Sequence, residues 1–272
     1  MAAADDQNQG LGARPPALAY AFAELPRALF ELACLLPGHA ILSRAPTGDG
    51  HPVMTLPGYR SDDGAMRAMR RYLKRWGYRA YPWGLGTNLG VGYQRLDYEA
   101  RLLERIETVV ENNGEPLSLI GWSQGGVIAR EVAKRRPDLV RQIITLGSPI
   151  ADAPEATTLF RIFRKTSSEE LDSELMSFLR EVSTPLPDVR CICIYSASDG
   201  IVSPDIARDL VSPNVENIRV NSSHLGMAVN PYVLYVIADR LAQPDDDWQP
   251  FNPSALDWLL KKSGRAKRTE QC

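Results

Sequence analysis

The 272-residue chain has few of the residues that metal, disulfide or redox chemistry would need, with four cysteines and three histidines in all. Cys34, Cys191, Cys193 and Cys272 are scattered, and Cys191 and Cys193 stand two apart in an apolar run, on one face of a strand. Reduced, packed thiols are therefore expected, not a disulfide framework or a metal site, and that usage suits a cytoplasmic location. An excess of one charge is also missing. The chain carries 31 basic against 33 acidic side chains, for a formal net charge of -2, so no overall field favours nucleic acid or an anionic membrane. The basic run from Lys261 to Arg268 is short and reads as a solvated tail. Long hydrophobic runs are absent too: the apolar stretch Ala17 to Leu36 is interrupted by Glu24, Pro26, Arg27 and Glu31, too often for a membrane span. It reads instead as helices packed on the domain or lying near the mouth of a site. The opening MAAADDQNQG lacks the basic start and apolar run of a secretory signal, so export by that route is not expected. Nothing matches a P-loop, a dinucleotide fingerprint or a zinc spacing, and no cofactor is expected. There is no internal repeat.

What is present is 44% hydrophobic content in a length suited to one α/β domain. After a tail over residues 1–16, short apolar runs alternate with helical patterns through a domain spanning 17–260, the signature of a parallel sheet covered by helices. Strands are expected at Val53 to Leu56, Tyr78 to Trp83, Leu117 to Gly121, Val140 to Leu146, Cys191 to Tyr195 and Asn217 to Val220. Between the first two, Asp62 or Asp63 is expected to cap a helix with the stripe Met66, Met69, Leu73, Trp76, and Gly77 to end it. Gly84 to Gly92 holds four glycines and reads as a loop. Helices follow over Asp97 to Glu111, stopped by Asn112-Asn113-Gly114, and from Gln124 to Arg135, and Pro231 opens another that turns Leu234, Ile237 and Leu241 inward. Residues 151–187 break the rhythm with helical patterns and no strand, and are expected to be an inserted cap. A basic tail over 261–272 ends the chain.

Gly121-Trp122-Ser123-Gln124-Gly125 is a G-x-S-x-G sequence between a buried strand and a helix. A hydroxyl nucleophile must be lifted off the sheet on a very tight turn, and glycines on either side remove the Cβ atoms that would crowd it. Serine needs a base within hydrogen-bond reach, and histidine is the usual choice. His39 precedes the first strand and His51 sits just before Val53, at the wrong end of the sheet. His224 follows the strand ending at Val220, at the same edge as Ser123. The base needs a carboxylate to hold its tautomer, and Asp199 stands directly beyond the strand Cys191 to Tyr195. Asp205 is the runner-up, but after Ser203-Pro204 it reads as a helix-start residue. Ser123, His224 and Asp199 are thus the candidate catalytic residues. The candidate oxyanion donors are the backbone N–H groups of Gln124 and of Tyr59, in the Pro57-Gly58-Tyr59 turn.

In these motifs the chain resembles the α/β-hydrolase family, in its lipase and esterase branch. The resemblance rests on LPGY after the first core strand, GWSQGG, TLGSP, and SDGIV followed by SSHLGM, in that order, and covers roughly Val53 to Leu241. It implies an eight-stranded, mostly parallel sheet, an acyl-enzyme mechanism without a cofactor and a cap after the sixth strand. Many relatives have histidine where Pro57 stands here, which bears on the oxyanion assignment alone. The expected function is hydrolysis of a small-molecule carboxylic ester with an apolar acyl part, with Trp122, Phe160 and Phe163 on the substrate side. The alternatives are an acyltransferase on the same triad and a non-catalytic binding or scaffold protein of the same fold. No nucleic-acid partner and no transmembrane segment are expected.

Overall fold

The computed structural model describes residues 14–90, 95–151, 157 and 183–253. Six strands, β1 (Pro52–Leu56), β2 (Arg79–Pro82), β3 (Leu117–Trp122), β4 (Val140–Leu146), β5 (Arg190–Ser196) and β6 (Val215–Val220), form one sheet in the order β2-β1-β3-β4-β5-β6. Every neighbouring pair is parallel. The family resemblance implied eight strands, whereas the described residues form six. Beyond them, the described residues show one isolated antiparallel bridge, Thr157 to Val202.

The helices are α1 (Leu18–Ala33), α2 (Leu35–Leu42), α3 (Arg67–Arg75), α4 (Arg95–Asn113), α5 (Gln124–Arg135) and α6 (Pro231–Leu241). Strand side chains alternate between two cores, as the two-residue period requires. Val53, Ile120, Ile144, Ile192 and Ile218 pack with α3 and α6, while Met54, Leu119, Ile143, Cys191 and Cys193 pack on the other face with α4 and α5. β3 is buried along its whole length, so its apolar run needs no polar alternation. The two strand thiols share a hydrogen bond at 3.7 Å and form no disulfide, and Cys34 is free as well.

Two local expectations fail for readable reasons. Neither Asp62 nor Asp63 caps α3, which starts only at Arg67. Asp62 accepts from the Gly64 N–H at 2.7 Å, and the Asp63 carboxylate accepts from the Trp83 and Gly84 N–H groups, each at 3.1 Å, tying the turn to the end of β2. Ser203-Pro204 starts a set of turns and no helix. The Ile206 carbonyl, which a helix would use internally, instead accepts from Ile150 N–H and Ala151 N–H. Gly77 ends α3 as expected, at φ +97°, with Gly77 N–H on the Lys74 carbonyl and Tyr78 N–H on that of Leu73. The segment expected as a cap lies mostly within 152–156 and 158–182, outside the described residues, and Phe160 and Phe163 with it. The tail over 261–272 and most of that over 1–16 lie outside as well.

Helix α1 inverts the usual pattern. Glu24 and Glu31 are its buried residues, whereas Phe22, Leu25, Leu29 and Phe30 are exposed. Among the described residues no single helix is long and apolar enough to cross a membrane, and only α1 and α2 together, bent by 51°, meet that description.

Candidate active site

Ser123 joins β3 to α5 with φ 53° and ψ −120°, a conformation that side-chain-bearing residues avoid at about 1–3 kcal/mol. The turn is held from both sides. Ser123 N–H donates to the Leu146 carbonyl at 2.8 Å, and Gly126 N–H donates to the Ser123 carbonyl at 3.0 Å. The glycines are obligatory. A Cβ on Gly121 would stand 2.2 Å from the Gly126 nitrogen, and one on Gly125 would stand 2.2 Å from the Leu56 carbonyl oxygen. The G-x-S-x-G spacing is therefore a packing requirement of the elbow against β1.

Asp199 and His224 meet at the same edge of the sheet. Asp199 Oδ2 lies 2.7 Å from His224 Nδ1, while Oδ1 accepts from Ile201 and Val202 N–H groups, both at 2.8 Å. Both side chains are almost wholly buried, at 1% and 3% exposure. Burial pushes the His224 imidazolium toward release, but the charge and hydrogen bond of Asp199 and the charge of Glu24 outweigh it, so its pKa is raised above 6.5. Gly147, beyond the end of β4, brings its backbone to this pair: a Cβ there would lie 3.0 Å from Asp199 Oδ2 and 3.1 Å from His224 Nδ1. Ser123 thus follows β3, Asp199 follows β5 and His224 follows β6, all at the same edge of the parallel sheet.

Trp122 is placed differently from its expected substrate-facing role. Its ring belongs to the core on the α3 and α6 side, and its indole N–H donates to the His224 carbonyl at 3.0 Å. It braces the histidine loop and leaves little surface for a ligand.

The Tyr59 turn does approach Ser123. A Cβ on Gly58 would lie 3.3 Å from both the Ser123 Cβ and the Trp122 carbonyl oxygen. Gln124 is the first residue of α5, so its N–H is one of the unpaired donors at that helix start. Sequence reasoning missed Asn88, which secures this turn from the glycine-rich loop. Its Nδ2 donates to the Pro57 carbonyl at 2.9 Å, its carbonyl accepts from Arg60 N–H, and its own N–H donates to the Ser61 carbonyl. Its burial follows from these tertiary contacts, and nothing in the sequence of the loop sets it apart from a solvated asparagine. Of the residues set aside, His39 is exposed near the Tyr72 hydroxyl, His51 is buried between Asp49 and Ser118, and Asp205 pairs with Arg208 at the surface.

A model of the α/β-hydrolase fold matches residues 56–190. Among solved structures, one described with the metagenome-derived lipolytic enzymes LipS and LipT is 16% identical at a TM-score of 0.54, covering 80% of this chain and 96% of that one. The mature Bacillus licheniformis lipase BlEst2 is 16% identical at 0.54, covering 72% and 94%. A Paleococcus ferrophilus monoacylglycerol lipase is 13% identical at 0.50, covering 71% and 96%. Identities this low speak to the fold. With the parallel sheet and the serine elbow between β3 and α5, they show that the chain has the α/β-hydrolase fold.

Proposed function

We propose that the protein is a serine-dependent carboxylic ester hydrolase working through Ser123, His224 and Asp199. The observation that carries this reading is the strained Ser123 elbow set at the same sheet edge as a buried aspartate–histidine pair. Asp199 on Nδ1 leaves Nε2 as the basic nitrogen of the ring. Ser123 Oγ would attack the ester carbonyl carbon while His224 takes its proton. Collapse of the tetrahedral intermediate breaks the C–O bond to the alcohol, which receives that proton, and leaves an acyl-serine. Water then adds to the acyl carbon by the same route and releases the acid. The developing oxyanion would be met by the N–H groups of Gln124 and Tyr59, a donor pair of which each member is worth about 10²–10³ in rate. Lipolytic enzymes among the similar folds support an ester substrate, and the apolar residues at 159–163 and 171–179 support an acyl pocket built by that segment.

The test is a panel of p-nitrophenyl esters from acetate to palmitate, run beside a thioester and a lactone, with fluorophosphonate labelling of Ser123. Turnover of esters and labelling lost in Ser123→Ala are expected. A chain that neither labels nor turns over any of the panel would sink the reading. Replacing Phe160 and Phe163 with alanine should alter preference among acyl lengths with little change in Tm, whereas lost stability with unchanged selectivity would move the pocket elsewhere.

A further inference from the structure

Helix α1 precedes the sheet, yet its inward-facing charges are spent on the loops that carry Asp199 and His224. Glu24 Oε1 accepts from Gly200 N–H at 2.8 Å and from His224 N–H at 3.0 Å, and Oε2 accepts from Leu225 N–H at 3.0 Å. One carboxylate therefore joins the residue after the candidate acid to the candidate base itself. Seven residues on, Glu31 accepts from the Ser222 hydroxyl at 2.6 Å and from Ser223 N–H at 2.7 Å. Between them Arg27 donates to the Ser198 carbonyl and hydroxyl. The fit is close enough to constrain the loops: a Cβ on Gly200 would stand 2.5 Å from the carbonyl carbon of Tyr20 in α1.

Stability alone is a poor reason for this arrangement. Burying a carboxylate costs desolvation that apolar contact would not incur, and a soluble helix normally turns its apolar side to the core. Here the apolar side is exposed and the carboxylates are sunk into the two loops. We propose that Glu24 is a positioning residue that holds the His224 loop in register with the Asp199 loop, so that α1 is a structural part of the active site. This rests on the esterase reading above. The charged groups facing His224 are Asp199 from the loop after β5 and Glu24 from α1. Trp122 and Gly147, which also lie against the ring, bring no charge, and Arg27 and Glu31 are committed to Ser198 and to Ser222 and Ser223. Glu24 also favours the protonated imidazole, which gives the role a signature beyond folding.

The experiment compares Glu24→Gln, Glu24→Ala and Glu31→Gln with the full-length wild type, by kcat and KM on the best ester and by NMR titration of His224. With three histidines in the chain, its resonance is assigned by difference from His224→Ala. Glu24→Gln keeps an acceptor but loses the charge and turns an N–H₂ toward a backbone donor. It should cut kcat about tenfold with KM little changed, as expected when the group acts on the transition state only through the base. Its His224 titration should move to lower pH. Glu24→Ala should lose more kcat, and Glu31→Gln should lower Tm without moving the titration. Variants at Glu24 that lower Tm but leave kcat and the titration unchanged would overturn the proposal. So would equal titration shifts at Glu24 and Glu31, which would make the effect one of helix charge and not of placement. If the wild type hydrolyses no ester, the esterase reading fails, and the NMR titration still decides whether Glu24 governs His224.

Discussion

Two serine–histidine–aspartate groupings stand at opposite ends of strand β3. At its start, Ser118 Oγ lies 2.8 Å from His51 Nε2, and Asp49 Oδ1 lies 2.5 Å from His51 Nδ1. At its far end stand Ser123, His224 and Asp199. The residue types and the Nδ1 contact are the same, so the difference lies in surroundings. Ser118 is an ordinary strand residue with no exposure, paired along β1 and β4, and His51 is sealed under the Tyr78 ring. Ser123 sits on a strained turn that glycines on both sides make possible. The acids differ more. Asp49 is half exposed and shares its charge with Arg141, whereas Asp199 is buried, and among the described residues no lysine or arginine pairs with it. Burial therefore prevails at His51, whose pKa is lowered despite Asp49, and the carboxylate prevails at His224, whose pKa is raised. A triad of residue types becomes a catalytic candidate only where the serine is lifted from the sheet and the acid's charge is directed into the histidine.

That contrast can be broken most sharply at the serines. Ser123→Ala should remove about 10⁵–10⁶ of kcat and all fluorophosphonate labelling, while Ser118→Ala should leave kcat within a few-fold. Comparable losses at both would erase the distinction. At the acids, Asp199→Asn should cost about 10⁴ in kcat by permitting the wrong tautomer, whereas Asp49→Asn and Asp205→Asn should be mild. If Asp205→Asn were the damaging change, the acid would be misassigned.

The histidines should also separate by pH. On the proposed mechanism the base must be neutral His224, so kcat/KM should fall on the acid side through a pKa above 6.5. For stability the signs oppose. His224, raised on folding, contributes stability that is full below 6.5 and is lost as pH rises through its folded value. His51, lowered on folding, resists protonation, so its contribution is lost as pH falls from 6.5 toward its folded value. Denaturant melts of His51→Gln should show a flatter acid decline than the wild type, and an unchanged profile would refute the assignment. The smallest effect expected is on stability at neutral pH, where Ser118→Ala should cost about 1–3 kcal/mol by unpairing buried His51, with kcat/KM unchanged.

Much of the fold was legible because its signals are local. The apolar run at 117–121 and the helix over Gln124–Arg135 appear where the sequence reading put them, and Gly77 stops α3. The errors lie where a polar group finds a distant partner: Asp63 turns to the end of β2, and Trp122 turns to the histidine loop.

By itself, then, the sequence determined where the strands fall along the chain, the glycine spacing of the serine turn and the exclusion of His51 by its position. Periodicity and steric demand act between neighbours and are visible in any short window. Only the tertiary structure decided that Asn88 would hold the Tyr59 turn and that Glu24 would reach His224 across a separation of 200 residues. A buried carboxylate chooses its donors after the chain has collapsed, and nothing in the local pattern of α1 distinguishes a solvated glutamate from one committed to the active-site loops.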